Sequence, residues 1–225
     1  MKRLAIPAPQ SLILTLLLCG SIWACKSSFE YALRQTTPVK ADGLPTEWPV
    51  QSARYDSGTR LSWQFSNDRQ NLYFCIRASD ETAQMKLLRS GLSLWIDTRG
   101  GRSKETGITL PLPGPQAPLS SADMPMNPGQ RPDPAEMRRR FLERPLMIKI
   151  TGFIPSVPEI IAADNTFGIS AAINWDNGGV LICEGAIPFD KFKPDFGAAD
   201  TVKAWSIGLE LAALPMPSMP QGMGG

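Results

Sequence analysis

Histidine is absent from this 225-residue chain. That gap removes every Ser-His-Asp or Cys-His catalytic arrangement, every histidine-ligated metal site and the commonest axial ligand of haem. An excess of charge of either sign is also lacking, with 23 basic against 21 acidic residues. Without a basic surplus the chain is a poor nucleic-acid binder, and the local run Arg138-Arg139-Arg140 reads as a solvated helix face. No apolar run is long enough to cross a bilayer, which takes about 20 residues; Leu12 to Leu18 falls well short. No repeat of fixed period is present.

What the N-terminus does contain is an address. Lys2 and Arg3 precede the short apolar core Leu12–Leu18, and small residues follow at Gly20 and Ser21. Charge, apolar run and small-residue cleavage site in that order mark a secretory signal over residues 1–24. Ile22-Trp23-Ala24-Cys25 resembles the lipobox of bacterial lipoproteins, which implies that Cys25 is acylated and becomes the mature N-terminus. Several acyl chains make a stable anchor, each buried CH₂ contributing about 0.8 kcal/mol. By analogy with known sorting rules, the lack of Asp after the cysteine favours delivery to an outer membrane. Residues 25–38 are expected to form a tether. Loss of Lys2 and Arg3 with the leader leaves the mature chain neutral by count.

The following segments read as strands. In Leu61-Ser62-Trp63-Gln64-Phe65-Ser66 apolar residues occupy alternate positions, as a half-buried strand requires. Further strands are expected at 72–78, 92–97, 107–110, 146–150, 168–173, 180–187 and 202–211, separated by turns rich in Gly, Pro and Asn. Two short helices are expected, one capped by Asp80 and ended by Ser90-Gly91, the other with Asp133 as cap and Pro134 at its first position. Residues 111–134 form a Pro-rich insertion, and 215–225 a Pro/Met/Gly tail that cannot bury a core. The expected class is all-β: an antiparallel β-sandwich over 39–214, with one or two short helices and a long Pro-rich loop.

Four pieces carry a further likeness. Asp42-Gly43 with Trp48, the strand from Leu72 to Asp80, the strand Leu92–Asp97 ending in an acid, and Glu184-Gly185-Ala186-Ile187-Pro188 before Trp205 together resemble the family 9 carbohydrate-binding modules and the wider DOMON-like sandwiches. The resemblance implies a non-enzymatic domain that binds an extracellular polysaccharide. It does not carry over the family's sugar clamp, because Leu87-Leu88-Arg89 stands where one clamp tryptophan belongs and none follows Leu211. The competing expectation is a structural or assembly lipoprotein that docks an envelope protein.

Candidate ligand contacts are Trp175, beside the polar turn Asp176–Gly179, and Tyr73, Arg77 and Trp95, which have the opposite parity from the core-forming positions of their strands. Each has a plainer reading: Trp175 as a packed turn residue, the other three as the underside of a helix or loop. Glu184 and Glu210 share parity, and on neighbouring strands could form a glycosidase-like carboxylate pair. Calcium is the one cofactor left open, at Asn67-Asp68, Asp80-Glu81, Asp164-Asn165 and Asp176-Asn177, although turn chemistry alone explains these clusters. Cys75 and Cys183 either pair in an oxidising compartment or sit as free thiols in apolar strands.

Overall fold

A computed structural model of the chain describes residues 33–113, 133–201 and 203–212. The signal segment, Cys25, residues 114–132 of the Pro-rich insertion and the tail lie outside the described residues. Two sheets form the molecule, and it is an all-β sandwich. The first sheet runs β1 (Leu33–Arg34), β3 (Leu61–Asn67), β4 (Asn71–Ala78), β10 (Leu181–Pro188), β9 (Ser170–Trp175), with β2 (Arg54–Asp56) also on β3. The second runs β11 (Ser206–Leu211), β5 (Leu92–Asp97), β6 (Gly107–Leu110), β7 (Met147–Thr151), β8 (Ile160–Ala162). Every ladder is antiparallel except the two-residue pairing of β1 with β3.

Alternation decides which side chains meet between the sheets. Leu72, Phe74, Ile76 and Ala78 of β4 and Leu181, Cys183 and Ile187 of β10 face Leu92, Leu94 and Ile96 of β5, Ile108 and Leu110 of β6, and Ile148 and Ile150 of β7 in one cluster. Fully burying each such Leu, Ile or Phe contributes about 1.5–3 kcal/mol. Helix α1 (Glu81–Ser90) closes one margin, burying Ala83, Leu87 and Leu88 in that core. Its cap is the expected one, the Asp80 carboxylate accepting from the Ala83 N–H, with Gly91 at φ 75° ending it. Helix α2 (Pro134–Leu142) starts from Asp133 and inserts Phe141.

A second, smaller cluster lies on the other side of the first sheet: Val39, Trp48, Tyr73, Cys75, Ile182 and Ala186. The segment 35–53 crosses this outer face as a strap. Its presence explains why Gln64 and Ser66, the polar positions of β3, are more buried than Trp63 and Phe65. The strap begins inside the segment expected as tether: β1 pairs with β3, and Gln35 donates its backbone N–H to the Asn67 carbonyl and its side-chain amide to Ser66 Oγ. Residues 33–38 therefore belong to the folded unit.

The register also settles the two core cysteines. Cys75 pairs with Glu184 and Cys183 with Ile76, so the two thiols project from opposite faces of the sheet, one into each hydrophobic cluster. Both are free, the second of the two alternatives the sequence left open. Burial raises both thiol pKa values, that of Cys75 to about 11, so neither forms the reactive thiolate at neutral pH. Alkylation mapped by mass spectrometry is expected to label Cys75 and Cys183 only after denaturation; labelling of either in the native chain would contradict this packing.

Candidate ligand-binding face

The two outer faces of the sandwich differ completely. On the first sheet, Glu184 is fully buried beneath the strap and accepts three hydrogen bonds: from the backbone N–H of Asp42 at 2.7 Å, from that of Gly43 at 2.6 Å, and from Trp48 Nε1 at 3.2 Å. Burial pushes its carboxyl above the ordinary glutamate range, against the pull of those three donors. Gly43 is required here: its φ is +78°, and a Cβ would lie 2.5 Å from Asn174 Cβ. Gln64 adds to the closure, donating to the Pro49 carbonyl and Ser52 Oγ. Asp42-Gly43 with Trp48 on one side and Glu184 on the other are thus two halves of one latch.

Two expected ligand contacts fall under this strap. Tyr73 is 1 % exposed, and its hydroxyl donates to Asp68 Oδ2 at 2.6 Å; burial first and then that carboxylate raise its pKa to about 12. Arg77 reaches the Trp48 carbonyl at 3.5 Å. Tyr73 offers no surface to a ligand in this fold, and Arg77 belongs to the strap's underside. The alternation that singled them out was correct, but this outer face is covered.

Trp175 is also committed. Its indole N–H donates to Gln84 Oε1 at 3.0 Å, Phe141 meets its ring edge-on at 5.6 Å, and the Arg138 guanidinium stands 5.6 Å over it. The stacking partner expected from a sugar is Arg138 of the chain's own α2. Glu184 and Glu210 lie in different sheets, on opposite outer faces, so they cannot form the 5–9.5 Å carboxylate pair of a glycosidase. The oxygen-rich turns serve the backbone. Asp68 accepts from the Gln70 and Asn71 amides, Asp176 from Val180, and the Asn165 amide donates to Ala162 and Ile169 carbonyls. Asp80 caps α1 and meets Arg60 at 2.8 Å. Among the described residues no group of three or more carboxylates or thiols gathers to hold a metal.

Of the four expected contacts, Trp95 alone stands on a face left open among the described residues. On the outer side of the second sheet, register aligns Glu210, Ser93, Thr109, Lys149 and Ile160 in one row across five strands, and Gly208, Trp95, Gly107 and Thr151 in the next. Ser93, Trp95, Thr109, Lys149, Thr151, Ile160 and Glu210 all retain solvent exposure. Gly107 makes room for the Trp95 ring, since a Cβ there would strike Trp95 Cε3 at 2.8 Å, whereas one on Gly208 would only touch Trp95 Cβ at 3.8 Å. On the other flank Trp95 Nε1 donates to Glu210 Oε2 at 2.8 Å. The indole is therefore held across β5, between β6 and β11, in one orientation.

The polar groups around it are arranged in pairs. Lys104 Nζ meets the same Glu210 oxygen at 2.9 Å. That lysine first, and the indole second, keep the Glu210 carboxyl below its usual range. Ser93 and Thr109 share a hydroxyl hydrogen bond of 2.8 Å. Asp97, expected as the acidic strand end, turns into the β5–β6 hairpin and accepts from the backbone amides of Arg99 and Ser103; those bonds, that from Ser103 foremost, lower its pKa. Lys104, Lys149, Ser93 and Thr109 were not singled out from sequence, and Glu210 only as half of a carboxylate pair with Glu184. For the strand residues the signal is parity with Trp95, readable only once the strand order is known, and Lys104 joins them from the β5–β6 hairpin.

An open cavity of about 370 Å³ lies elsewhere, at the turn joining β7 to β8, lined by Ile150, Phe153, Ile154, Pro155, Val157 and Glu159 among others. Glu159 is the one polar side chain of that lining, fewer than the several convergent polar groups that orient a small ligand. No family model, curated protein or solved structure matches the chain, so the class is defined by its own architecture: a two-sheet sandwich with one strapped outer face and one open face bearing a braced tryptophan.

Proposed function

We propose that this chain is a lipid-anchored protein of the bacterial envelope that binds an extracellular glycan on the outer face of its second sheet, without catalysing a reaction. The observation that carries the binding reading is the braced, partly exposed indole of Trp95, set among hydroxyls and a paired lysine and glutamate. Sugar rings present apolar C–H faces that stack on an aromatic plane, while their hydroxyls need donors and acceptors around its rim. A ring held in place before binding loses little conformational freedom on contact. The anchoring half rests on Ile22-Trp23-Ala24-Cys25 and the leader before it. Mass spectrometry of the protein from its native membrane is expected to find an acylated Cys25 at the N-terminus.

Affinity electrophoresis of the full chain in gels containing a panel of polysaccharides tests the binding half. Retention by at least one glycan is expected, and Trp95→Ala is expected to weaken it by about tenfold or more, the cost of truncating a central aromatic contact. Circular dichroism of the variant checks that the sandwich is intact. Failure of every polysaccharide to retard the chain, or full retention by the folded Trp95→Ala variant, would remove the proposal.

A further inference from the structure

The glycan proposed for the Trp95 face has a charge sign that the same face dictates. Its acidic groups are all engaged. Glu210 is shared by Lys104 and the Trp95 indole, Asp97 is 6 % exposed and takes two backbone amides, and Glu105 on the adjoining hairpin is paired with Arg99 at 3.2 Å. Its cations are not all engaged. Lys149 lies in the same cross-strand row as Glu210, Ser93 and Thr109, exposed, and without an ion-pair or hydrogen-bond partner for its ammonium among the described residues. Arg102, exposed on the hairpin whose Lys104 reaches Glu210, is likewise unpartnered among them.

A neutral sugar can accept hydrogen bonds from an ammonium or a guanidinium, but only an acidic one also gains from their two uncompensated charges. From this imbalance we infer that the ligand is an acidic glycan, a polysaccharide bearing carboxylates, with one ring on Trp95 and charged groups of neighbouring residues meeting Lys149 and Arg102. The lysine and the tryptophan sit on strands two apart, about 10 Å at ordinary strand spacing, so a chain crossing the sheet contacts both. Opposite charge on an exposed face acts mainly through attraction and orientation, and salt screens it. This inference rests on the glycan-binding reading of the same face.

The test is affinity electrophoresis of the full chain in polygalacturonate, an acidic polymer, beside galactomannan, a neutral one. Polygalacturonate is expected to retard the wild type, less so at raised ionic strength. Lys149→Glu and Arg102→Glu are each expected to weaken retention by up to about fivefold, the range of one exposed ion pair, and Trp95→Ala to weaken it further. Equal retention by galactomannan with no effect of the charge reversals would overturn the acidic class while leaving the platform in place. No retention by either polymer would overturn both. Retention by polygalacturonate that ignores Trp95→Ala would mark plain ion exchange and sink the inference. Binding to vesicles containing phosphatidylglycerol as strong as to polygalacturonate would reassign the cations to a membrane surface and sink it too.

Discussion

Glu184→Ala is expected to cost about 3–5 kcal/mol and to lower the thermal midpoint by roughly 10–15 °C, a domain of this size losing about 2–4 °C per kcal/mol. The substitution strands three donors at once: the Asp42 and Gly43 amides and the Trp48 indole N–H, each of which has Glu184 as its acceptor. A buried donor left without an acceptor costs its full desolvation penalty, about 1–3 kcal/mol. Water could rescue part of the loss only if the strap lifts, which would uncover Val39, Trp48, Tyr73 and Ile182. Limited proteolysis should therefore cut first within residues 36–52 of the variant. Glu184→Gln keeps the shape and one acceptor oxygen but turns an N–H₂ toward a donor, and should fall between alanine and wild type. An unchanged midpoint in urea and heat for Glu184→Ala would show that the latch does not hold the strap.

Gly185→Val is expected to be comparably damaging, about 3 kcal/mol or more, for the opposite reason. Gly185 pairs with Phe74 on one side and Ala171 on the other. A Cβ there would collide with the Ser170 carbonyl oxygen and lie 2.6 Å from Phe74 Cζ. A backbone carbonyl in a ladder cannot retreat as a flexible side chain can, and Phe74 is fully buried in the main core, so the added volume must distort two strands. Gly208→Ala is the matched control. Its Cβ meets nothing nearer than Trp95 Cβ at 3.8 Å, and its stability should stay within about 0.5 kcal/mol of wild type, the ordinary range of a surface change. Equal losses for the two variants would mean that Gly185 is not packed as described.

The strand at Leu61–Asn67 was legible because Leu61, Trp63 and Phe65 alternate, and the helix at Glu81–Ser90 because Asp80 and Gly91 supply its two ends. Strands β1, β2 and β8 were not read. They are two or three residues long, too short for any period to emerge, and they exist because a longer neighbour offers them a ladder. The candidate contacts show the same division. Tyr73, Arg77 and Trp95 were grouped by parity, yet Tyr73 and Arg77 lie beneath the strap on one outer face, and Trp95 stands on the other.

The order of residues alone determined the alternating strands, the capped helices and the turns between them, because each depends on neighbours within a few positions. Tertiary structure decided which outer face is closed and which stays open. Parity gives every strand two sides but does not say what will cover either. Here the answer came from a carboxylate that meets the Asp42 amide across 142 residues of sequence, and from a register that brings Trp95, Glu210 and Lys149 onto one surface from three separate strands.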